Sequence, residues 1–159
     1  SGGYGEAEGV LLRDGRVVIV ASRAHTRVKG IDFDKLHAPA TSRSAFPEYC
    51  VSKLANVLYA RRLAERLRPR KIDVYSLHPG VVASDIWRRL PGPIRAVAMW
   101  FMLTVDEGAR TTLYCATAPD LTGQTGLYWD KCAVKTPAAP GRDDALMNEL
   151  WDRTEAWIA

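Results

Sequence analysis

The sequence is poor in cysteine, with three in 159 residues, namely Cys50, Cys115 and Cys132. An odd number of cysteines without a CxxC pair predicts neither a disulfide framework nor a structural zinc site. Isolated thiols of this kind are typical of a reducing compartment. We therefore expect a cytoplasmic protein.

Long hydrophobic runs are also absent. The nearest candidate for a membrane span, IRAVAMWFML at 94–103, is much shorter than the roughly 20 apolar residues that a spanning helix needs. The first residues lack the basic, apolar and small-residue order of a signal peptide. The sequence therefore predicts no membrane-spanning segment.

The basic residues are spread along the chain. The formal net charge is +4 and the pI is near 9.1, but basic residues often stand beside acidic ones, as in RRLAERLRPRK at 61–71. No nucleic-acid-binding motif is present, so we expect no nucleic-acid partner. With 47% hydrophobic and 25% charged residues, the composition is typical of one soluble globular domain.

Two strand patterns flank a helical one in the first half of the chain. RVVIVAS at 16–22 is a nearly continuous β-branched run, which predicts a strand buried on both faces. EYCVSKLANVLYARRLAERL at 48–67 has apolar residues at helical spacing, and Pro47 suits the first turn. KIDVYSLHPG at 71–80 predicts a second strand that its proline and glycine stop. The order predicts a βαβ unit with parallel strands, and hence an α/β fold.

Three further elements are predicted in the second half. Thr104 and Glu107 have capping-box spacing at the start of a helix over 107–118. A third strand is predicted at 125–131 and a terminal amphipathic helix at 141–158. The predicted buried side of this last helix consists of Leu146, Leu150, Trp151 and Trp157.

Tyr49 and Lys53 stand four apart near the start of the first predicted helix. Side chains at this spacing share one helix face, about 5 to 6 Å apart at Cβ. A neighbouring ammonium stabilises the phenolate form of a tyrosine, and such a phenol can act as general acid or base toward a carbonyl or alcohol oxygen. The same spacing also occurs by chance on solvated helix faces.

Hydroxyl groups follow both strands of the predicted βαβ unit. Ser22 ends the first strand, and Ser84 comes four residues after Gly80. In open α/β sheets, ligands bind outside the carboxyl ends of the strands. We therefore expect Ser22 and Tyr49 to converge on one crevice.

Four segments carry a family resemblance: RVVIVASRAH, YCVSKLANVLYARRLAERL, LHPGVVASDI and EGARTTLYCA. In this order they closely resemble the short-chain dehydrogenase/reductases, and more narrowly their retinol dehydrogenase-like branch. The resemblance implies the C-terminal half of a Rossmann-like doubly wound parallel sheet. We divide the chain into a flexible stretch at 1–10 and a partial dehydrogenase domain at 11–159 that lacks the N-terminal nucleotide-binding motif.

The resemblance implies hydride transfer between NADP or NAD and a lipophilic alcohol or carbonyl. By motif position, Ser22 would hydrogen-bond the substrate oxygen and Tyr49 would be the acid/base. Lys53 would assist the tyrosine and bind the nicotinamide ribose. Tyr49 and Lys53 are therefore expected to contact the cofactor as well as to act in catalysis.

The LHPGVVASDI segment would supply the remaining cofactor contacts. Pro79 and Gly80 match the family's turn beside the nicotinamide, and the backbone of Val82 would meet the carboxamide. Ser84 stands where the family usually has threonine and keeps the hydroxyl. For 94–103, core packing and a wall for a lipophilic substrate are equally favoured, with shallow membrane contact as the third choice.

The family's glycine-rich turn after the first strand, and its asparagine upstream of the serine, have no counterpart here. The glycines at 2–9 precede a strand rather than follow one. We expect a strand edge that an N-terminal half or a homo-oligomer covers. The alternative function is that of a truncated, catalytically idle remnant that serves only as a binding or structural module.

The histidines and Cys50 invite other chemistry that the pattern does not favour. His25, His37 and His78 show no metal-ligand spacing, so structural or surface roles are expected and no metal is predicted. For Cys50, a buried and inert thiol is the favoured interpretation.

Overall fold

The computed structural model describes residues 15–36, 45–80 and 105–159. These residues form one sheet with the strand order β1-β2-β3-β4, in which β1, β2 and β3 are parallel and β4 is antiparallel to β3. The strands are β1 (Arg16–Val20), β2 (Asp73–His78), β3 (Tyr128–Asp130) and β4 (Ala133–Lys135), and the helices are α1 (Phe46–Leu67), α2 (Val105–Thr117) and α3 (Asp144–Ile158). The predicted α/β class and the parallel βαβ unit are confirmed.

The two faces of the sheet are covered by different helices. Successive residues of β2 alternate between the faces. Val74 packs with Ala60 and Ala64 of α1, while Tyr75 and its neighbours on the other face pack with α2 and β3. The members of this second cluster are Tyr75, Leu77, Cys115, Leu121 and Trp129. The result is a layered arrangement with β2 at its centre.

The prediction that the first strand is buried on both faces is wrong for β1. Its residues are only half-buried, and Val20 is 43% exposed. The physical reason is position, because β1 lies at one edge of the described sheet and pairs only with β2. In β2, which has a neighbour on each side, every residue after Asp73 is buried.

Helix α1 begins with Pro47 in its first turn, as the sequence predicts. Its inward stripe comprises Cys50, Leu54, Val57, Leu58, Ala60 and Ala64. Full burial of one leucine side chain contributes about 1.5–3 kcal/mol. Because the buried stripe faces the core, the exposed residues of α1 lie on its opposite face.

Helix α3 begins at a well-formed cap, because the Asp143 carboxylate accepts from the amides of Ala145 and Leu146 at 2.9 and 3.0 Å. Its predicted buried side is partly wrong. Leu150 and Trp151 are buried, and Leu146 is partly buried, but Trp157 is 43% exposed. Trp157 lies in the last turn of the helix, and Met147 is the further buried residue that the prediction omitted.

No helix in the described ranges is long and apolar enough to cross a bilayer. Thr104 and the segments at 1–14, 37–44 and 81–103 lie outside the described residues. The capping box and the substrate wall at 94–103 therefore stay predictions.

Candidate active site

The candidate site lies at the carboxyl edge of the sheet. The parallel registers pair Val20 with Leu77 and His78 with Asp130, so the ends of β1, β2 and β3 meet at the same edge. Ala21 and Ser22 directly follow β1. Residues that follow these strands are thus brought together by topology alone.

Tyr49 and Lys53 lie side by side at the start of α1. The Lys53 Nζ is 5.4 Å from the centre of the Tyr49 ring. It also donates to the carbonyl oxygen of Val20 at 3.4 Å, which places the pair at the end of β1. Tyr49 is 43% exposed, so its ring is open to a ligand from solvent.

Ser22 caps a short 3-10 helix, Arg23–Arg27, that packs against α1. Its Oγ accepts from the Ala24 amide at 3.2 Å, and the residue is 9% exposed. Accepting this bond leaves the hydroxyl proton available for donation. Ser22 and Tyr49 therefore sit on two segments in mutual contact, next to the end of β1.

His25 fixes the backbone at Ser22. The His25 Nδ1 lies 2.6 Å from the Ser22 carbonyl oxygen, and its Nε2 accepts from the Ala138 amide at 3.4 Å. These partners place the proton of a neutral imidazole on Nδ1, because Nε2 must accept. With 1% exposure, His25 is a satisfied core histidine, as the sequence favoured.

Pro79 and Gly80 leave β2 at the same edge, and Gly80 has a φ of 93°, a conformation that favours glycine. They line a cavity of about 560 Å³ together with Arg110, Tyr114 and Lys131. Among the described residues, Ser22, Tyr49 and Lys53 do not line this cavity. Val82 and Ser84, the other two predicted cofactor contacts, lie outside the described residues.

An ion pair that sequence reasoning missed crosses this edge. Arg23 donates to both carboxylate oxygens of Asp130, with Nε–Oδ2 at 2.7 Å and Nη2–Oδ1 at 3.1 Å. Burial by itself raises the pKa of Asp130, but the hydrogen bond and charge of Arg23 outweigh it and lower the pKa below its usual 3.8. The available signal was weak: an arginine after the predicted serine and an aspartate ending a strand.

Asn56 is a second residue that the sequence reasoning missed. Its Nδ2 donates to the Val20 carbonyl at 3.0 Å, the same oxygen that Lys53 contacts. Asn56 follows Lys53 by three positions, and this helical spacing places both on one face. The two donors together anchor α1 to the end of β1.

His78 is the last residue of β2 and is 6% exposed. Its Nδ1 accepts from the Arg23 amide at 3.4 Å. Burial lowers the pKa of His78 below 6.5; the Asp130 charge opposes this shift, and the Arg23 charge adds to it. The imidazole is consequently neutral in the folded protein at neutral pH.

We predict that this neutral histidine makes stability sensitive to mild acid. Unfolded chains protonate His78 near its ordinary pKa of 6.5 while the folded state resists protonation. The free energy of unfolding should therefore fall as pH is lowered through about 6.5. Urea unfolding at several pH values should show this loss, and His78→Gln should make it smaller. The pKa of Asp130 is lowered from 3.8 in the folded protein, so the stability that this carboxylate contributes is lost only as pH falls below about 3.8. Identical pH dependence in both proteins would contradict the prediction.

Cys50 is 1% exposed, and burial raises the pKa of its thiol. A raised thiol pKa disfavours the reactive thiolate, so the favoured interpretation of an inert thiol is supported. Within the described ranges, no group of three or more His, Cys, Asp or Glu side chains is placed to hold a metal ion.

Curated relatives match most of this chain. Human dehydrogenase/reductase SDR family member 13 is 37% identical over 146 residues, which is 88% of this chain and 38% of that protein. Human retinol dehydrogenase 14 is 32% identical over 149 residues, 90% of this chain and 44% of that protein. The chain belongs to the short-chain dehydrogenase/reductase family. It spans less than half the length of these curated relatives.

The fold of this short-chain dehydrogenase/reductase chain is similar to that of a solved carbonyl reductase. It superposes on the NADPH-bound carbonyl reductase from chicken fatty liver with a TM-score of 0.51 at 20% identity, covering 84% of this chain and 47% of that one. No protein-family model matches the chain. The predicted partial Rossmann-like sheet is confirmed.

Proposed function

We propose that the native polypeptide containing this chain is an oxidoreductase that transfers a hydride between NADP or NAD and a small lipophilic alcohol or carbonyl. The observation that carries the proposal is the placement of Tyr49 and Lys53 together at the carboxyl end of β1. Family membership supports the reaction class. Ser22 completes the proposed catalytic set.

Three features of the described residues fit a nicotinamide dinucleotide. The Lys53 ammonium is at the sheet edge, where it can donate to ribose hydroxyls. Gly80 forms the turn predicted to lie beside the nicotinamide, and the adjoining cavity carries the cations of Arg110 and Lys131, which suit an anionic ligand. When bound, the nicotinamide supplies or accepts the hydride. The chicken carbonyl reductase, which shares this fold, holds NADPH in its crystal structure, in agreement with this choice.

The chain's own residues would manage the proton. In the reductive direction, the Tyr49 phenol donates its proton to the carbonyl oxygen as hydride reaches the carbonyl carbon, so that an alcohol forms. The Lys53 ammonium stabilises the phenolate that remains. The Ser22 hydroxyl, which already accepts from Ala24, donates to the same substrate oxygen. In the oxidative direction, Tyr49 accepts the proton.

A lipophilic substrate is favoured by the aromatic surface beside the phenol. The rings of Phe46 and Tyr49 stack with centroids 6.2 Å apart, and the residues are 46% and 43% exposed. An aromatic surface of this kind offers apolar contact area next to the reacting oxygen. The predicted wall at 94–103 would extend that surface.

The outer edge of β1 is expected to be covered in the native protein. In the described sheet it has one neighbour, β2, although its residues are mostly apolar. An uncovered strand edge of this kind invites pairing with another strand. An N-terminal half of the polypeptide, or a second copy, would supply it. The cytoplasmic location stays a prediction from the sequence.

Nucleotide binding tests the cofactor assignment directly. NADPH and NADH would be titrated against the native polypeptide and followed by nicotinamide fluorescence. Lys53→Met should weaken binding by about tenfold or more, because hydrogen bonds to charged groups contribute about 1.5–3 kcal/mol. Lys29→Met, the same change at an exposed lysine, is the control and should bind normally.

Equal affinity in Lys53→Met and the unsubstituted protein would contradict the role given to Lys53. Absence of binding by a folded native polypeptide would reject the oxidoreductase proposal. It would favour the alternative of a catalytically idle binding or structural module.

A further inference from the structure

A second cavity lies at the opposite edge of the sheet. Its volume is about 700 Å³, and its lining includes Arg16 at the start of β1 and Asp73 at the start of β2. Since parallel strands all run the same way, the amino ends of β1 and β2 are at the edge away from Ser22 and His78. The cavity is therefore separate from the proposed active site.

Most of the charged residues that line this cavity are cations. Arg16, Arg68 and Lys71 contribute positive charges, whereas Asp73 is the one carboxylate among the described lining residues. The Asp73 Oδ2 accepts from the Gly123 amide at 2.9 Å. The acid is thus committed to a backbone donor, and the surplus positive charge favours an anionic ligand.

Arg16 is held in position before any ligand arrives. Its Nη1 donates to the Cys115 carbonyl at 3.3 Å, and its Nη2 donates to the Thr122 hydroxyl oxygen at 3.2 Å. Its guanidinium carbon is also 6.0 Å from the centre of the Tyr75 ring. A restrained guanidinium loses less conformational freedom when it binds an anion, and its fork geometry suits phosphate oxygens.

Arg68 and Lys71 are the exposed cations of the lining, and they come from the turn between α1 and β2. The turn is closed by the Lys71 amide, which donates to the Arg68 carbonyl at 3.0 Å, and Lys71 has a φ of 55°. Within the described ranges, neither side chain forms an ion pair that would neutralise it. The Thr122 hydroxyl already donates to the Pro119 carbonyl at 3.0 Å, whereas the Thr125 Oγ1 accepts from the Val74 amide at 2.8 Å and keeps its proton for a ligand.

We propose that this cavity binds a phosphate or diphosphate group. One anchored guanidinium, two exposed cations and the Thr125 hydroxyl provide charge-assisted hydrogen bonds of the kind that phosphate oxygens accept. The proposal does not depend on hydride transfer, because it concerns the opposite edge of the sheet.

Isothermal titration calorimetry with inorganic pyrophosphate, at low ionic strength, tests the site in the native polypeptide. We expect saturable binding by the unsubstituted chain. The double variant Arg68→Gln/Lys71→Gln should weaken it by about tenfold or more, because it removes two of the three cations that line the cavity. Both residues are exposed, so the midpoint of thermal unfolding should stay unchanged.

The matched control removes the same charge elsewhere. Lys29→Gln/Arg142→Gln replaces one exposed lysine and one exposed arginine that do not line the cavity, and it should bind pyrophosphate normally. No binding by the unsubstituted chain, or equal weakening in both double variants, would overturn the proposal, because equal weakening indicates a general effect of net charge.

Vesicles of phosphatidylcholine with phosphatidic acid distinguish the source of the phosphate. Sedimentation of the chain with these vesicles, reversed by pyrophosphate, would assign the site to a lipid headgroup. Pyrophosphate binding without sedimentation would assign it to a soluble phosphorylated ligand. Sedimentation that both double variants retain would overturn the assignment of this cavity.

Discussion

Tyr49→Phe is expected to lower kcat by about 100-fold or more, the usual range for removal of a general acid or base. The substitution deletes only the phenol oxygen. The ring that stacks on Phe46 and lies near the Lys53 ammonium is retained, and the residue is 43% exposed. Stability should therefore change little. Steady-state reduction of lipophilic aldehydes by NADPH, with the native polypeptide, gives the measurement.

Tyr59→Phe is the matched control for this experiment. Tyr59 lies on the same helix, is 36% exposed and stacks on Trp151, away from the start of α1. It should retain normal kcat. Near-normal turnover in Tyr49→Phe would reject the assignment of this phenol as the acid/base, and an equal loss in both variants would show that the helix rather than the phenol is responsible.

Leu54→Ala is expected to lower the free energy of unfolding by about 2–5 kcal/mol, the range for a large-to-small change in a packed core. Leu54 directly follows Lys53 but points to the other side of α1. It is 0% exposed and packs in the cluster that contains Phe33, Leu58 and Met147. Urea unfolding should show a lower midpoint with an unchanged slope.

Leu113→Ala tests whether burial is the cause. Leu113 also lies on a helix but is 58% exposed, so the same substitution should change stability by less than about 0.5 kcal/mol. A loss in Leu54→Ala no larger than this would contradict the packing described for α1. The two tyrosine variants compare two exposed positions of α1, and the two leucine variants compare a buried position of α1 with an exposed position of α2.

Local sequence patterns were enough to predict the parts of the site within one helix. The apolar periodicity of 48–67 predicted which side of α1 would be buried, and the spacing of Tyr49 and Lys53 placed both on one face of the helix. The observed distance of 5.4 Å from the ammonium to the ring agrees with that reasoning.

The contacts across the sheet edge could not be predicted in the same way. Arg23 and Asp130 are 107 positions apart in the chain. Their pairing depends on the strand order, which brings the segment after β1 and the end of β3 to the same edge, beside His78. A single sequence carries little information about such a pairing beyond the two charges themselves.

Strand β4 was not predicted, because its sequence lacks the usual patterns of a strand and of a hairpin turn. It has only three residues, all exposed, so the apolar alternation of a buried strand is absent. Its hairpin turn places Lys131 and Cys132 at φ values of 53° and 58°, where Asn-Gly or Gly-Gly is the common pattern. Without those residues, the sequence did not indicate a hairpin.

Direct hydride transfer is tested most directly with NADPH that carries deuterium at the transferable C4 position. The native polypeptide would be incubated with this cofactor and a lipophilic aldehyde, and the alcohol product examined by mass spectrometry. We predict deuterium on the carbinol carbon, with a rate reduced about 100-fold or more in Tyr49→Phe. A product without deuterium, or no product from a folded polypeptide that binds NADPH, would contradict the proposed oxidoreductase function.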